Sequence, residues 1–388
     1  MIATVSKDIS STDTLTAAVS PKKVLMAAGG TGGHVYPAIA IADALKKLQP
    51  DTDFLFVGTR NRMEWKTVPK YGYKIKSIWI SGLHRRLTIQ NILFPVKLIV
   101  SLIQSFFILK SFKPDMVIAC GGFAAGPVGW MGKKLGIPLV LQEQNSFPGV
   151  TNRMLAKHAD QIFTAFEEAD NYLPTQKTVL AGNPVRSRLE EVSREDALKA
   201  FNFSDDQPVL LILGGSGGAR VVNEAISEHL DKLHNDLKLQ IIWQCGQKYR
   251  SKIEAKIDLP KYPNVRLLAF IDNIDAAYSA ADLVVTRAGA GTCSELMNVG
   301  QPAILVPSPN VAGDHQKKNA KALLDAEAAK MLDETQLKGR LSDMIESLIR
   351  NKKELRAMSQ AMNKLARPDA ADKIANEIFS LIEQKENE

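Results

Sequence analysis

Short apolar runs alternate with longer amphipathic ones along the 388 residues. In the first half, strands are predicted at Val24–Ala28, Phe54–Val57, Met116–Ala119, Leu139–Leu141, Ile162–Thr164 and Val179–Ala181. Helical spacing marks Pro37–Leu48, Leu98–Ser111 and Val128–Leu135 between them. Strands alternating with helices predict an α/β chain with parallel sheets covered on both faces. Gly182-Asn183-Pro184 interrupts the pattern with turn chemistry, and Pro184 cannot continue a strand ladder. A domain boundary is placed there. The second half repeats the plan, with strands at Val209–Leu213, Gln240–Trp243, Arg266–Leu268, Leu283–Val285, Ala303–Val306 and Ala329–Leu332. Helices are expected at Val221–Leu230 and Thr292–Val299, and the chain from Glu334 is helical in pattern as far as a break at Arg367-Pro368. A last helix, Asp369–Gln384, is expected to cross back to the first domain. The expected organisation is a tail at 1–20, one domain at 21–183, a second at 184–367 and the crossing helix within 368–388.

Three glycine clusters fall at the carboxyl ends of predicted strands: Gly29–His34, Gly121–Gly126 and Gly214–Gly218 with Ser216 inside it. Ligands of open α/β sheets bind outside those strand ends. Glycine lets a ligand approach the backbone, and a following helix start offers free N–H groups to an anion. Gly29–His34 does not match GxGxxG, so a dinucleotide fingerprint is not supported. His34 is the one ionisable side chain in its turn. The positive end of the helix dipole disfavours its charged form, and a neutral imidazole can take a proton.

Other polar clusters compete between structural and chemical roles. In Leu141–Asn145 a carboxylate and three amides end a strand, where they are costly unless they bind each other or a ligand. Glu143 and Asn145 are candidates to line the cleft. In Arg287–Glu295, Thr292 is placed to cap a helix with Glu295 as its capping-box partner. Glu295 also suits both hydroxyls of a ribose. Asp314-His315-Gln316 reads as a helix start. Asp51-Thr52-Asp53 precedes its strand, at the end away from the cleft, so no protein-held metal is expected.

Composition changes the picture at one place. The formal net charge is +7, but between Asp53 and Asp115 eleven Lys and Arg face the single acid Glu64, so that stretch carries +10 and the remainder −3. The same stretch holds Ile78, Trp79, Ile80, Leu83, Ile92, Leu93, Phe94 and the apolar run Leu98–Leu109. Basic groups beside apolar ones suit an anionic membrane surface; the alternative is a core helix with a solvated basic rim. No binding motif accompanies the charge, which argues against nucleic acid. The Leu98–Leu109 run is shorter than the ~20 residues of a membrane span. The first twenty residues lack the pattern of a signal peptide, and a cytoplasmic, soluble or peripheral protein is expected. Cys120, Cys245 and Cys293 lie far apart, as buried thiols of a reducing compartment do.

Taken in order, Gly-Gly-Thr-Gly-Gly-His at 29–34, Glu-Gln-Asn at 143–145, Gly-Asn-Pro-Val-Arg at 182–186, Gly-Gly-Ser-x-Gly-Ala at 214–219 and Asp-His-Gln at 314–316 closely resemble glycosyltransferase family 28. Within that family the likeness is to the bacterial N-acetylglucosaminyltransferases that complete lipid II. The resemblance runs from Lys22 to about Phe379. It implies a GT-B fold, two Rossmann-like domains with a deep interdomain cleft. It implies that UDP-GlcNAc binds mainly to the C-terminal domain: Ser216 and Arg186 at the diphosphate, Ile271 at uracil, Glu295 at the ribose, and Ala290, Gly291, Thr292 and Gln316 beside diphosphate and sugar. Thr31, Gly32, Gly33 and Asn145 would close over the donor sugar. Gly121, Gly122 and Gly126 would cradle the acceptor's pyrophosphate. His34 is the first candidate for the base, with Glu143 second or orienting base or acceptor. No cofactor is implied beyond the co-substrate. The implied partners are lipid I and an anionic membrane surface, with room for other cell-wall proteins. The implied place is the cytoplasmic face of the bacterial plasma membrane. Rivals are another lipid glycosyl transfer, such as to diacylglycerol, a Rossmann-type oxidoreductase, and a nucleotide-binding module without turnover.

Overall fold

The computed structural model describes residues 22–82, 92–185, 192–215 and 217–386. The tail expected at 1–20, Leu83, Arg186 and Ser216 therefore lie outside the described residues. Two wholly parallel sheets account for the strands. The first contains β1 (Lys23–Ala27), β2 (Asp53–Gly58), β3 (Lys74–Ser77), β4 (Met116–Ala119), β5 (Leu139–Glu143), β6 (Gln161–Thr164) and β7 (Thr178–Leu180), in the order β3-β2-β1-β4-β5-β6-β7. The second contains β8 (Val209–Leu213), β9 (Gln240–Gln244), β10 (Val265–Leu268), β11 (Leu283–Thr286), β12 (Ala303–Leu305) and β13 (Ala329–Met331), ordered β10-β9-β8-β11-β12-β13. In each sheet the order reverses beside the first strand, at β1/β4 and at β8/β11. Loops diverge there and open a crevice at the carboxyl ends of the strands.

The central strands form because they are apolar on both faces. Val24, Leu25, Met26 and Ala27 are all buried, as are Val209 to Leu213. Helices cover both sides, which gives each domain two cores. β3 was not predicted. Its Lys-Ile-Lys-Ser pattern is half-exposed, and lysine on an edge strand blunts further pairing. β5 runs two residues beyond its predicted end, taking Gln142 and Glu143 into the sheet because polar partners wait for them there.

Other corrections concern helix ends. The first helix begins at Gly32, five residues before Pro37, which sits inside it. Pro37 forgoes one helical hydrogen bond there. The helix expected from Thr292 starts at Ala290 with Gly289 as its cap and no side-chain cap bond, so Thr292 and Glu295 do not form the expected capping box. The apolar helix extends at both ends to Phe94–Phe112, nineteen residues, long and apolar enough by length and composition to cross a membrane. The length argument against a span therefore does not hold.

The last helix, Ala370–Glu386, lies on the first domain. Ile374, Ala375, Ile378 and Ile382 share a core with Val35, Ala38, Ile39 and Ala42 of the helix Gly32–Leu48. Burying each isoleucine stabilises by ~1.5–3 kcal/mol. The two passages of the chain between domains touch: a Cβ on Gly182 would stand 2.4 Å from that of Arg367, and Lys373 Nζ donates to the Leu180 carbonyl at 2.8 Å.

Candidate active site

In the first domain the glycine turns after β1 and β4 interlock. Gly122 has φ +83°, and a Cβ there would meet the Gly29 carbonyl oxygen at 2.1 Å. Gly121, at φ +95°, abuts the His34 ring, with Cδ2 2.8 Å from where a Cβ would be. Both positions need glycine for conformation and for space. His34 stands in the first turn of its helix, with Nδ1 3.1 Å from the Gly29 carbonyl and 3.2 Å from Thr31 Oγ1. A carbonyl only accepts, so Nδ1 carries the proton and Nε2 keeps a lone pair. Burial pushes the imidazole down to about 4; the Gly29 carbonyl opposes this, His315 adds to it and Glu64 opposes it. The expected neutrality therefore arises chiefly from desolvation.

Glu64, unremarked in the sequence except as the lone acid of a basic stretch, shapes this turn from below. Its buried carboxylate accepts from Gly30 N at 3.0 Å, Thr59 N at 3.0 Å and Thr59 Oγ1 at 2.7 Å. A Cβ on Gly29 would stand 2.8 Å from Glu64 Oε1.

Glu143, at the end of β5, is also buried. It accepts from Asn145 N at 3.0 Å, Asn145 Nδ2 at 3.1 Å, Gly149 N at 3.0 Å and Asn152 Nδ2 at 2.8 Å. Burial pushes its carboxyl up, while these bonds favour the charged form. All four partners are donors, which an ionised carboxylate satisfies. The arrangement fits a residue that holds the 145–149 loop rather than one that takes a substrate proton.

In the second domain the turn after β8 locks against Gly246: a Cβ on Gly218 would meet the Cys245 carbonyl oxygen at 2.1 Å. Gln244 ties it down, accepting from Gly214 N at 2.9 Å and donating to the carbonyls of Gly215 at 3.1 Å and Ala269 at 3.2 Å. Ile271 packs its side chain into the core and leaves only backbone for a ligand. The helix Ala290–Val299 brings Ala290, Gly291 and Thr292 into its first turn, where backbone N–H groups lack helical partners. A Cβ on Gly215, Gly217, Gly289 or Gly291 would meet nothing within 4 Å, so these turns face open space. Buried Tyr278 donates from its hydroxyl to Glu295 Oε2 at 3.0 Å. Gln316 accepts from Ser308 N at 2.8 Å, which fixes its amide orientation and leaves Nε2 as the group able to donate outward.

The domains meet at Asn319, on the helix His315–Asp325. Its Oδ1 accepts from Ser146 N and Oγ, both at 3.0 Å, and its Nδ2 lies 3.2 Å from Asn145 Oδ1 and from the Ala288 carbonyl. One buried amide thus joins the loop after β5 to the turn before Ala290. Gly126 lies in the first turn of the helix Ala125–Lys134, beside Gly121–Gly122. Asp51 and Asp53 lie at the opposite, amino end of the sheet. Among the described residues, no three His, Cys, Asp or Glu side chains cluster as metal ligands do. The three cysteines are buried and unpaired. Sequence reasoning missed Glu64, Gln244, Tyr278 and Asn319. Only Glu64 carried a signal, as a solitary acid.

Comparison with known proteins agrees with this architecture. Residues 24–164 match the glycosyltransferase family 28 N-terminal domain, and residues 209–374 the family 28 C-terminal domain. A Flavobacterium psychrophilum protein is 45% identical over 367 residues, covering 94% of this chain and 99% of its own. It is named UDP-N-acetylglucosamine–N-acetylmuramyl-(pentapeptide) pyrophosphoryl-undecaprenol N-acetylglucosamine transferase. A Salinibacter ruber protein of the same name is 43% identical over 361 residues, covering 93% and 97%. The crystal structure of Acinetobacter baumannii MurG aligns with a TM-score of 0.77 at 32% identity, over 93% of this chain and all of the other. A Neisseria meningitidis UDP-GlcNAc 2-epimerase, at 16% identity and TM-score 0.65 over 92% and 100%, shares the fold alone. With both halves matched in order and relatives spanning nearly its whole length, this chain belongs to glycosyltransferase family 28 and has its two-domain GT-B fold.

Proposed function

We infer that the chain transfers GlcNAc from UDP-GlcNAc, with inversion, to the 4-hydroxyl of the MurNAc of lipid I, making lipid II for peptidoglycan synthesis. The observation that carries this reading is a neutral His34, its Nε2 unprotonated, where two interlocked glycine turns meet, in a chain whose near-full-length relatives bear that transferase name. The hydroxyl attacks the anomeric carbon and gives its proton to Nε2. The C1–O bond to UDP breaks, and the electron pair leaves with the diphosphate. First-turn N–H groups at Ala290–Thr292, the turn around Ser216, and Arg186 meet that charge without a protein-held metal. UDP-GlcNAc is a co-substrate, with uracil at Ile271, ribose at Glu295 and sugar near Gln316, Thr31–Gly33 and Asn145. Gly121, Gly122 and Gly126 hold the acceptor's pyrophosphate.

Tyr278 supports the ribose contact by fixing one oxygen of Glu295. Tyr278→Phe is expected to raise KM for UDP-GlcNAc roughly threefold to tenfold with kcat little changed, the scale of an ordinary hydrogen bond, because Tyr278 orients Glu295 and does not itself touch the donor. Steady-state kinetics with varied donor checks it.

The acceptor's lipid brings the enzyme to a bilayer, and the helix Phe94–Phe112 is built for that contact. It packs Ser101, Ser105 and Leu109 inward and exposes Val96, Ile99, Ile103 and Phe107. The two serines fit because each hydroxyl bonds a carbonyl of its own helix at 2.7 Å. Trp79, Phe123 and Trp130 are exposed in the same domain, with Lys97 and Lys134 over the two indoles. The Phe123 ring lies against Gly82 and links this surface to the Gly121–Gly126 turn. These features support a peripheral enzyme on the cytoplasmic face of the bacterial plasma membrane. Ile99→Gln with Phe107→Gln is expected to abolish sedimentation with anionic vesicles while transfer to a soluble acceptor persists.

The test of the function is transfer from radiolabelled UDP-GlcNAc to a soluble lipid I analogue, beside diacylglycerol and a no-acceptor blank, with and without EDTA. Product on the lipid I analogue alone, EDTA or not, is the expected result. Product on diacylglycerol alone would overturn the acceptor assignment.

A further inference from the structure

The seam at Asn319 continues one residue away in each domain, where the domains meet again around Phe147, in the loop after β5. Lys318 Nζ, from the second domain, stands 2.9 Å from the centroid of its ring. The guanidinium carbon of Arg153, from the first domain, is 4.8 Å from the same centroid. Tyr172 meets the ring edge-on at 4.7 Å and is half exposed. Val150 and Met154, one turn apart on the helix that carries Arg153, are exposed beside it. Around Lys318, Lys317 pairs with Asp333 at 3.4 Å and Lys321 with Asp325 at 2.9 Å. Among the described residues, neither Lys318 nor Arg153 has a carboxylate within ion-pair distance. Two cations on one ring repel, and the aromatic face only partly offsets that cost. Burial and the neighbouring Arg153 push the Lys318 amine down, and Asp314, beyond ion-pair distance, opposes them in part. An anion bridging the two would relieve the repulsion.

We propose that Phe147, Arg153, Lys318 and Tyr172 form a subsite for the carboxylate-bearing peptide arm of the acceptor. The inference rests on the transferase reading above and extends it to a part of the acceptor that the glycine turns do not reach. A peptide joined to its sugar through its amino end finishes in a free carboxylate, which Arg and Lys recognise by charge and hydrogen bonding. Val150 and Met154 offer apolar surface to the peptide's side chains. The location suits an arm leaving the cleft: the loop after β5 is next in sheet order to the Gly121–Gly126 turn after β4. Because Lys318 comes from the second domain, the arm would bind both walls at once and favour the closed cleft.

The experiment compares two soluble lipid I analogues, one with free peptide carboxylates and one with them amidated. Wild type is expected to show a KM roughly threefold to tenfold lower for the free carboxylates, the scale of two partly exposed ion pairs. In Arg153→Gln with Lys318→Gln that ratio is expected to fall to near one; Lys318→Arg should keep it, and Lys318→Glu should reverse it. A wild-type KM indifferent to amidation would overturn the subsite. So would a double variant that raises KM equally for both analogues, the signature of a structural clamp. Absence of any transfer by folded, donor-binding wild type would instead overturn the transferase reading, and the subsite with it.

Discussion

Replacing His34 with alanine is expected to lower kcat by roughly 10²–10⁴-fold, the usual worth of a positioned general base. The Kd for UDP-GlcNAc should barely move, because the proposed donor contacts lie mainly in the second domain. The Gly29 carbonyl holds the proton on Nδ1, and the crowding that makes Gly121 obligatory keeps the ring in one place. The acid limb of kcat/KM in wild type should fall near pH 4 rather than 6.5, since burial lowers this imidazole to about 4. His34→Gln should erase that limb. The same shift acts on stability. Below pH 6.5 the unfolded chain takes up a proton that folded His34 refuses, so stability at this site is full above 6.5 and declines as pH falls toward 4. His34→Gln should flatten that part of a stability-versus-pH curve from urea unfolding.

Glu143→Ala is expected to be the more damaging change to the fold, at about 2–3 kcal/mol of unfolding free energy. It would remove the acceptor shared by four donors, on Asn145, Gly149 and Asn152, of which the Asn152 amide is buried with Glu143 and the others are partly open to water. Chemical denaturation measures that loss. Glu143→Gln preserves the shape but turns an amide N–H₂ toward two of the donors, so an intermediate loss is expected. Turnover should fall with both variants, since Asn145 and Ser146 reach Asn319 through this loop. The pH profile separates positioning from proton transfer. A limb lost in Glu143→Gln and kept in His34→Gln would make Glu143 the base.

The amino-acid pattern alone determined the two-sheet α/β plan, the glycine turns at the carboxyl ends of β1, β4 and β8, and His34 as the ionisable group among them. Those features are local: apolar strands bury both faces, and glycine marks where backbone must turn. The basic and apolar stretch was legible too, as a composition. That its helix faces apolar residues outward was not, because facing depends on which side packs, and Ser101 and Ser105 pack only when their hydroxyls turn back on their own helix. β3 escaped notice because edge strands need no apolar run. The start of the helix at Gly32 escaped because glycine reads as turn. Tertiary structure alone decided the burial of Glu64 under Gly29–Gly30, the saturation of Glu143, the Tyr278–Glu295 bond and the Asn319 bridge across the cleft. Each joins residues 2 to 174 positions apart. At all but the shortest of those separations, a hydrogen bond leaves no periodicity or motif in the chain and exists only once the sheets have set the distance.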